Sequence, residues 1–240
     1  MVEHPKPTRA PSATARHADL RKGEFVAEAL AREHGRWPDL GNKTDPLDEL
    51  VYISLTRQTH EKNAARQWDA LISAYPTWGM LLEASEEEIA ELIADGGFSR
   101  QKARWIKQSL RLIKETRGSL SLDFLEDLDD GEAERFLCTL PGINVKSAKC
   151  VLMYSLERDV LPVDTHVRRV SERLGLLEPN LTSRRAHERL EATVSPQHRF
   201  AYHVGAVEHG RRVCTVARPR CGECVLKHSC DYYDATSGAT

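Results

Sequence analysis

Four of the chain's six cysteines fall between Cys214 and Cys230, spaced C-x6-C-x2-C-x5-C within seventeen residues. The opening Met1-Val2-Glu3-His4-Pro5 lacks the apolar stretch of a secretory signal. In a reducing compartment such a cluster is expected to ligate a metal, not to form disulfides. Zinc takes four cysteines but prefers two close pairs, and only one C-x2-C pair is present. An iron–sulfur cluster also takes four cysteines and suits wider loops. Spacing leaves both open, yet either centre forces Cys214, Cys221, Cys224 and Cys230 together. The basic loop between the first two ligands places Arg218 and Arg220 either against phosphates or in solvent. Cys150, on an apolar helix face, is expected to pack as a small hydrophobe, and neither it nor Cys138 is expected to ligate.

The remaining signals are helical. Asp45-Pro46 supplies an N-cap and a proline at the first helical position, followed by Leu47, Leu50, Val51 and Ser54 at helical spacing. Ser85-Glu86-Glu87-Glu88 is a capping box ahead of Ile89, Leu92 and Ile93, stopped by Gly96-Gly97. Phe25, Val26, Ala29 and Leu30 share a face of a helix ending at Gly35. Ser99 can cap a helix carrying Ala103, Ile106, Leu110 and Ile113, and two later helices fit Thr165–Leu174 and Phe200–Val207. Trp37, Trp68, Trp78 and Trp105 read as core. Sustained period-two alternation is absent, so the predicted class is all-α. With 240 residues, 40% apolar and 29% charged, the chain can fill one large core or two small ones. No apolar run approaches the roughly 18–20 residues of a membrane span. Residues 1–19, with Pro5, Pro7 and Pro11 among small and polar residues, read as a disordered tail; its Lys6, Arg9 and Arg16 could still touch DNA.

The net charge of −2 hides an asymmetry. Residues 81–135 hold 8 Lys/Arg against 14 Asp/Glu, whereas residues 141–220 hold 14 against 8. A basic C-terminal half suits an anionic partner such as nucleic acid, or is simply a solvated face.

Leu140-Pro141-Gly142-Ile143-Asn144-Val145-Lys146-Ser147-Ala148 interrupts two helical stretches. Gly142 tolerates positive φ, and Asn144 visits that region more readily than most residues. Such a turn points backbone N–H groups at the start of the next helix, a natural phosphate site. Lys146 sits in that helix's first turn, where the dipole disfavours a cation. It reads as a phosphate contact or as an amine nucleophile. Eighteen residues on, Val163-Asp164-Thr165-His166 offers Asp164 as an N-cap or as a carboxylate facing Lys146.

Together these three motifs closely resemble endonuclease III, the iron–sulfur branch of the helix-hairpin-helix DNA glycosylases, from about Pro46 to about Tyr232. The resemblance implies an all-α, two-domain fold. A six-helix barrel would occupy 46–158, with the hairpin at 140–148. A cluster domain would occupy 20–45 plus 159–232, with a tail at 233–240. It implies Lys146 as the Schiff-base lysine, Asp164 as the catalytic aspartate and a [4Fe-4S] cluster on Cys214, Cys221, Cys224 and Cys230. Gln58 resembles the residue that enters the gap left by a flipped nucleotide, and Phe98 the intercalating wedge. Gly142, Asn144, His166, Arg218 and Arg220 complete the expected DNA contacts. Two positions depart from the family pattern: Asn144 replaces the hairpin's second glycine, and Glu61 stands where an aspartate is usual. The hairpin and Asp-Thr-His region is similar also to plant 5-methylcytosine glycosylases.

The implied activity is removal of oxidised pyrimidines from duplex DNA with β-elimination 3′ to the abasic site. The implied protein is a monomer in the cytoplasm of a prokaryote, associated with the nucleoid, with damaged or abasic duplex DNA as partner. Two alternatives remain at this level. A monofunctional adenine or thymine/uracil mismatch glycosylase would release base without cleavage, and such relatives usually lack the lysine. A non-catalytic structure-specific DNA-binding protein would release nothing.

Overall fold

The computed structural model describes residues 13–35 and 41–237, all of them helical or in loops, with no strand among them. Two compact units emerge, Pro38–Pro162 and Met1–Trp37 with Val163–Thr240. We call them the hairpin unit and the cysteine unit. The boundaries fall outside those expected from sequence, at 37/38 and 162/163, so Asn42 and Lys43 belong with the hairpin unit.

Helix α1 (Ala13–His34) opens the cysteine unit. The predicted tail therefore gives way to helix by Ala13, and its first twelve residues, with Lys6 and Arg9, lie outside the described residues. Val26, Ala29 and Leu30 are buried, but Phe25 stays 43% exposed and does not join their face. A later helix of the same unit, α11 (Arg199–Arg212), packs on α1 so closely that a Cβ on Gly205 would meet Leu30 at 2.7 Å.

The hairpin unit holds α2 (Pro46–Thr56), α3 (Glu61–Ala74), α4 (Trp78–Glu83), α5 (Glu86–Leu92), α6 (Ser99–Arg117), α7 (Asp130–Leu137) and α8 (Val145–Ser155). That is one α-helix more than the expected six, because Thr77 caps a short α4. Asp45 caps α2 by accepting from the N–H groups of Leu47 and Asp48. Ser85 and Glu88 form the reciprocal box that starts α5. Leu50, Leu55, Leu71, Ile89, Ile106, Leu110, Leu137 and Leu152 fill one core. Trp68 belongs to it, while Trp78 and Trp105 are half-buried at its edge. Trp37 lies outside the described residues. Cys150 is buried in the same core.

The rest of the cysteine unit comprises α9 (Thr165–Arg173), α10 (Ser183–Thr193), α11 (Arg199–Arg212) and α12 (Asp231–Ser237). The predicted C-terminal tail is thus helical through Ser237. Ser171 and Tyr202 join α9 to α11 through a buried hydroxyl pair at 2.7 Å.

Candidate nucleic-acid interface and active site

Helix α7, a short turn and helix α8 form a helix-hairpin-helix. The turn closes with the Ile143 N–H donating to the Leu140 carbonyl at 3.1 Å, and both side chains are buried. Gly142 takes the left-handed conformation at φ +80, and a Cβ there would lie 2.6 Å from the Trp105 ring. Arg57 stacks on that ring at 4.7 Å and donates to the Gly142 carbonyl. Ser109 donates to the Pro141 carbonyl. The hairpin's carbonyls are therefore held from within. The N–H groups of Gly142 and Val145 have no partner among the described residues. Such free donors at a helix start suit an anionic oxygen.

Asn144 departs from expectation. It is extended, at φ −108, and caps α8 by accepting from the Ser147 N–H at 2.9 Å. Its role here is local: asparagine is a strong N-cap, so the position needs no glycine. Lys146 follows as the second residue of α8, half-buried.

Two loops flank this element in the same unit. Gln58, just past α2, is exposed and left-handed at φ 49. Phe98, just before α6, is left-handed at φ 54 and 65% exposed, so it is not a core aromatic. Phe98, not Ser99, is the cap residue, and it has no side-chain cap bond. Positive φ is costly for such side chains and persists only where surroundings enforce it. Lys102 enforces it here. Its ammonium is buried and donates to the Leu55 carbonyl at 2.7 Å, to the Thr59 hydroxyl and toward the Gly96 carbonyl. Thr59 in turn donates to Gly96 at 2.5 Å. Burial, helped by the Arg57 charge, pulls Lys102 down to about 8. Asn63, Arg66 and Gln67 of α3 fasten the Phe98 loop through Asp95 and Ile93. Glu61, the departure near Gln58, is exposed on the first turn of α3.

Asp164 heads α9 in the cysteine unit. One carboxylate oxygen, Oδ1, accepts from His166 N and Val167 N at 2.9 and 2.8 Å. The other has no hydrogen-bond partner among the described residues. The capping reading is correct, and it occupies half of the group. His187 steadies the approach by accepting from the Val163 N–H at 3.1 Å. His166 is half-buried under Gly210, and burial lowers its pKa.

Cys214, Cys221, Cys224 and Cys230 line one cavity, with Arg173 and Tyr232 in its wall. Among the described residues no three His, Cys, Asp or Glu side chains are grouped for a single metal ion, so the four thiols ring a space and do not meet at a point. Arg173 donates to Cys214 Sγ at 3.2 Å and to the Thr215 and Val216 carbonyls, and stacks on Tyr232. His209 Nε2 lies 3.3 Å from Cys224 Sγ. Burial pushes the Cys224 thiol up to about 11, and the other three cysteines add to the rise. A cation at the centre would reverse that balance. Arg169, one turn before Arg173, donates to the Gly210 and Cys214 carbonyls. The brace is absent from the motif reading; two arginines at i and i+4 on α9 are the signal in the sequence that could have found it. Arg218 and Arg220 are both exposed, but they differ. Arg220 is tied back to the Arg212 carbonyl and to Glu223. Arg218 has no ion pair among the described residues.

An all-helical chain with a braced hairpin, a lysine behind it and a four-cysteine cavity belongs to a recognisable class of DNA-repair folds. Residues 52–196 match the HhH-GPD superfamily of base excision DNA repair proteins. The chain is 34% identical to endonuclease III of Thermotoga maritima over 87% of its own length and 93% of that protein. It is 33% identical to endonuclease III of Synechocystis, covering 77% and 80% respectively. A solved structure of a trapped endonuclease III–DNA covalent intermediate superposes with a TM-score of 0.79 at 22% identity, over 91% of this chain and 98% of that one. The chain therefore belongs to the endonuclease III-like branch of the HhH-GPD superfamily, a base excision repair DNA glycosylase/AP lyase.

Proposed function

We propose that this enzyme removes damaged pyrimidines from duplex DNA and cleaves the resulting abasic site, with Lys146 as nucleophile and Asp164 assisting. The observation that carries the reading is the position of Lys146, half-buried in the first turn of α8 directly behind a hairpin whose carbonyls are internally held. The N–H groups of Gly142 and Val145 take a phosphate oxygen, and exposed Arg218 adds a further backbone contact. Phe98 and Gln58, held rigidly on strained backbone, enter the stack and occupy the place of the extruded nucleotide. Lys146 Nζ then bonds to C1′ as the bond to the base breaks. The free Asp164 oxygen stabilises positive charge on the sugar. The C1′–O4′ ring bond then opens, O4′ takes up the proton that Nζ sheds, and the nitrogen becomes an iminium. Loss of a 2′ proton sends its electron pair toward that iminium, and the 3′ C–O bond breaks with the phosphate leaving.

Cys214, Cys221, Cys224 and Cys230 would hold a [4Fe-4S] cluster. The ringed cavity and the guanidinium donated to sulfur both fit a larger anionic centre. When bound, the cluster ties the 214–230 loop together and takes no part in base release. The partner is damaged or abasic duplex DNA, engaged by a monomer. Bacterial endonuclease III relatives and the lack of any described helix able to cross a membrane support action at the prokaryotic chromosome.

Borohydride trapping on a duplex bearing dihydrouracil or thymine glycol tests the catalytic assignment. Wild type should yield a covalent adduct, and Lys146→Gln should lose both adduct and strand cleavage while still binding DNA. Equal trapping by Lys146→Gln would assign the nucleophile elsewhere, and base release without trapping would define a monofunctional enzyme.

A further inference from the structure

Glu49 is a carboxylate with no exposure at all, in the first turn of α2 between Leu47 and Leu50. Its oxygens accept from Asn42 Nδ2 at 2.5 Å and from the Lys43 N–H at 2.6 Å. Burying a carboxylate is costly, and two neutral donors do not cancel its charge. The cations facing it are Lys43, from the preceding loop, and Lys146, from α8, which packs on α2. Lys43 is itself engaged over the Tyr52 and Trp68 rings. The other cation is the amine assigned to the chemistry. Burial raises Glu49 to about 7, and the Lys146 charge acts in the opposite direction. Interaction between two charges is mutual: whatever Lys146 does to Glu49, ionised Glu49 does to positive charge on Lys146 Nζ.

We propose that Glu49 is a positioning residue, a buried counter-charge that sustains the cationic nitrogen of Lys146 through the iminium stage. The proposal rests on Lys146 being the attacking amine. The iminium must stay protonated to draw electrons from C2′, and a neutral imine is a poor sink. A fixed carboxylate in the same unit keeps that proton on nitrogen to higher pH. An apolar residue at position 49 would fill the core but lose both accepted hydrogen bonds, and would leave the nitrogen without this field.

The experiment measures strand cleavage and borohydride trapping on a preformed abasic duplex from pH 5.5 to 9.5, for wild type, Glu49→Gln and Asn42→Ala. Below pH 6 Glu49 is neutral, so wild type and Glu49→Gln should merge. On the alkaline side the fall in Glu49→Gln should come about one pH unit earlier than in wild type, or about tenfold at fixed pH on that limb. Asn42→Ala removes a hydrogen bond to the charged form and so raises the Glu49 pKa further. It should resemble Glu49→Gln near pH 7 and wild type near pH 8.5, and it carries the test if Glu49→Gln does not fold. A folded Glu49→Gln with lower rates but an unmoved alkaline limb, or Asn42→Ala matching wild type throughout, overturns the proposal and leaves Glu49 as a structural anchor of the 41–43 loop. Trapping that survives in Lys146→Gln fails the nucleophile reading instead, whatever the limbs do.

Discussion

The hairpin unit and the cysteine unit position functional groups by opposite means. In the hairpin unit a continuous apolar core carries α2, α6 and α8, and side chains set in it or against it hold strained loops: buried Lys102 for Gln58 and Phe98, half-buried Arg57 and Trp105 for Gly142. In the cysteine unit the functional loop from Cys214 to Cys230 has little core of its own: Leu226 is its buried apolar residue, with Val213 buried just before it. It depends on arginines from α9 and on the four thiols. Rigidity comes from packing in one unit and, with the proposed cluster bound, from cross-linking in the other. The first should therefore degrade residue by residue, and the second all at once.

The largest expected effect follows directly. Cys224→Ser should lose iron and collapse the 214–230 loop, because binding energy at such a centre is also folding energy. Protease should cut the loop while the hairpin unit keeps its helices, read by limited proteolysis with mass mapping. A variant that keeps full iron content and an intact loop would break the contrast between the units.

Gly142→Ala attacks the hairpin unit at its tightest point. Left-handed backbone costs about 1–2 kcal/mol for an L-residue, and the 2.6 Å approach to Trp105 adds overpacking of about 1–3 kcal/mol. Denaturant unfolding should show a loss of roughly 2–5 kcal/mol, with the iron content unchanged. A loss under about 1 kcal/mol would mean that Trp105 yields easily and the hairpin is looser than its contacts suggest.

These contacts also mark where the sequence stops being readable. Caps are local, so Asp45, Ser85 and Asp164 announce themselves by spacing alone. The cysteine spacing is local too. The hairpin's shape is legible through Gly142, but its support is not: Arg57 reaches a carbonyl 85 residues away. Phe98 is an aromatic beside an apolar helix, and only the fold reveals that it points outward. Lys102 and Glu49 look like surface charges in the sequence, and burial makes them functional candidates. Asn144 suits a left-handed turn and a helix cap equally well in the sequence, and the fold uses it as the cap of α8.

Glu49→Gln tests whether the hairpin unit gives up stability for its buried charge. A carboxyl raised to about 7 from its ordinary 4.5 keeps its proton longer in the folded protein than in the unfolded chain. Folding is thus favoured at low pH, and that stability is lost as pH rises from about 4.5 through about 7. Glutamine carries no such cost. The variant should gain about 2–3 kcal/mol on wild type between pH 4.5 and pH 8, less whatever one lost hydrogen bond removes. A gap constant across that range would show that Glu49 ionises in the folded protein as it does in the unfolded chain, its burial fully offset by its partners.

The smallest effects belong to the two arginines of the basic loop, which the sequence treated alike and the structure separates. Arg218 is exposed and unpaired among the described residues, so Arg218→Ala should leave stability unchanged. It should weaken binding to every duplex similarly and flatten the salt dependence by up to about one unit of slope. Arg220 commits its guanidinium to the last carbonyl of α11, that of Arg212, and to Glu223. A cation at a helix C-terminus contributes about 0.3–1 kcal/mol, and an exposed ion pair less. Arg220→Ala should therefore cost a few tenths to about 1 kcal/mol in stability, with a smaller change in slope than Arg218→Ala. DNA titrations across a salt series, paired with thermal unfolding of each variant, separate the two. Equal slopes with equal stabilities would mean that Arg220 leaves its carbonyl to meet phosphate, and that the cysteine unit's loop rearranges on DNA where the hairpin unit's braced turn does not.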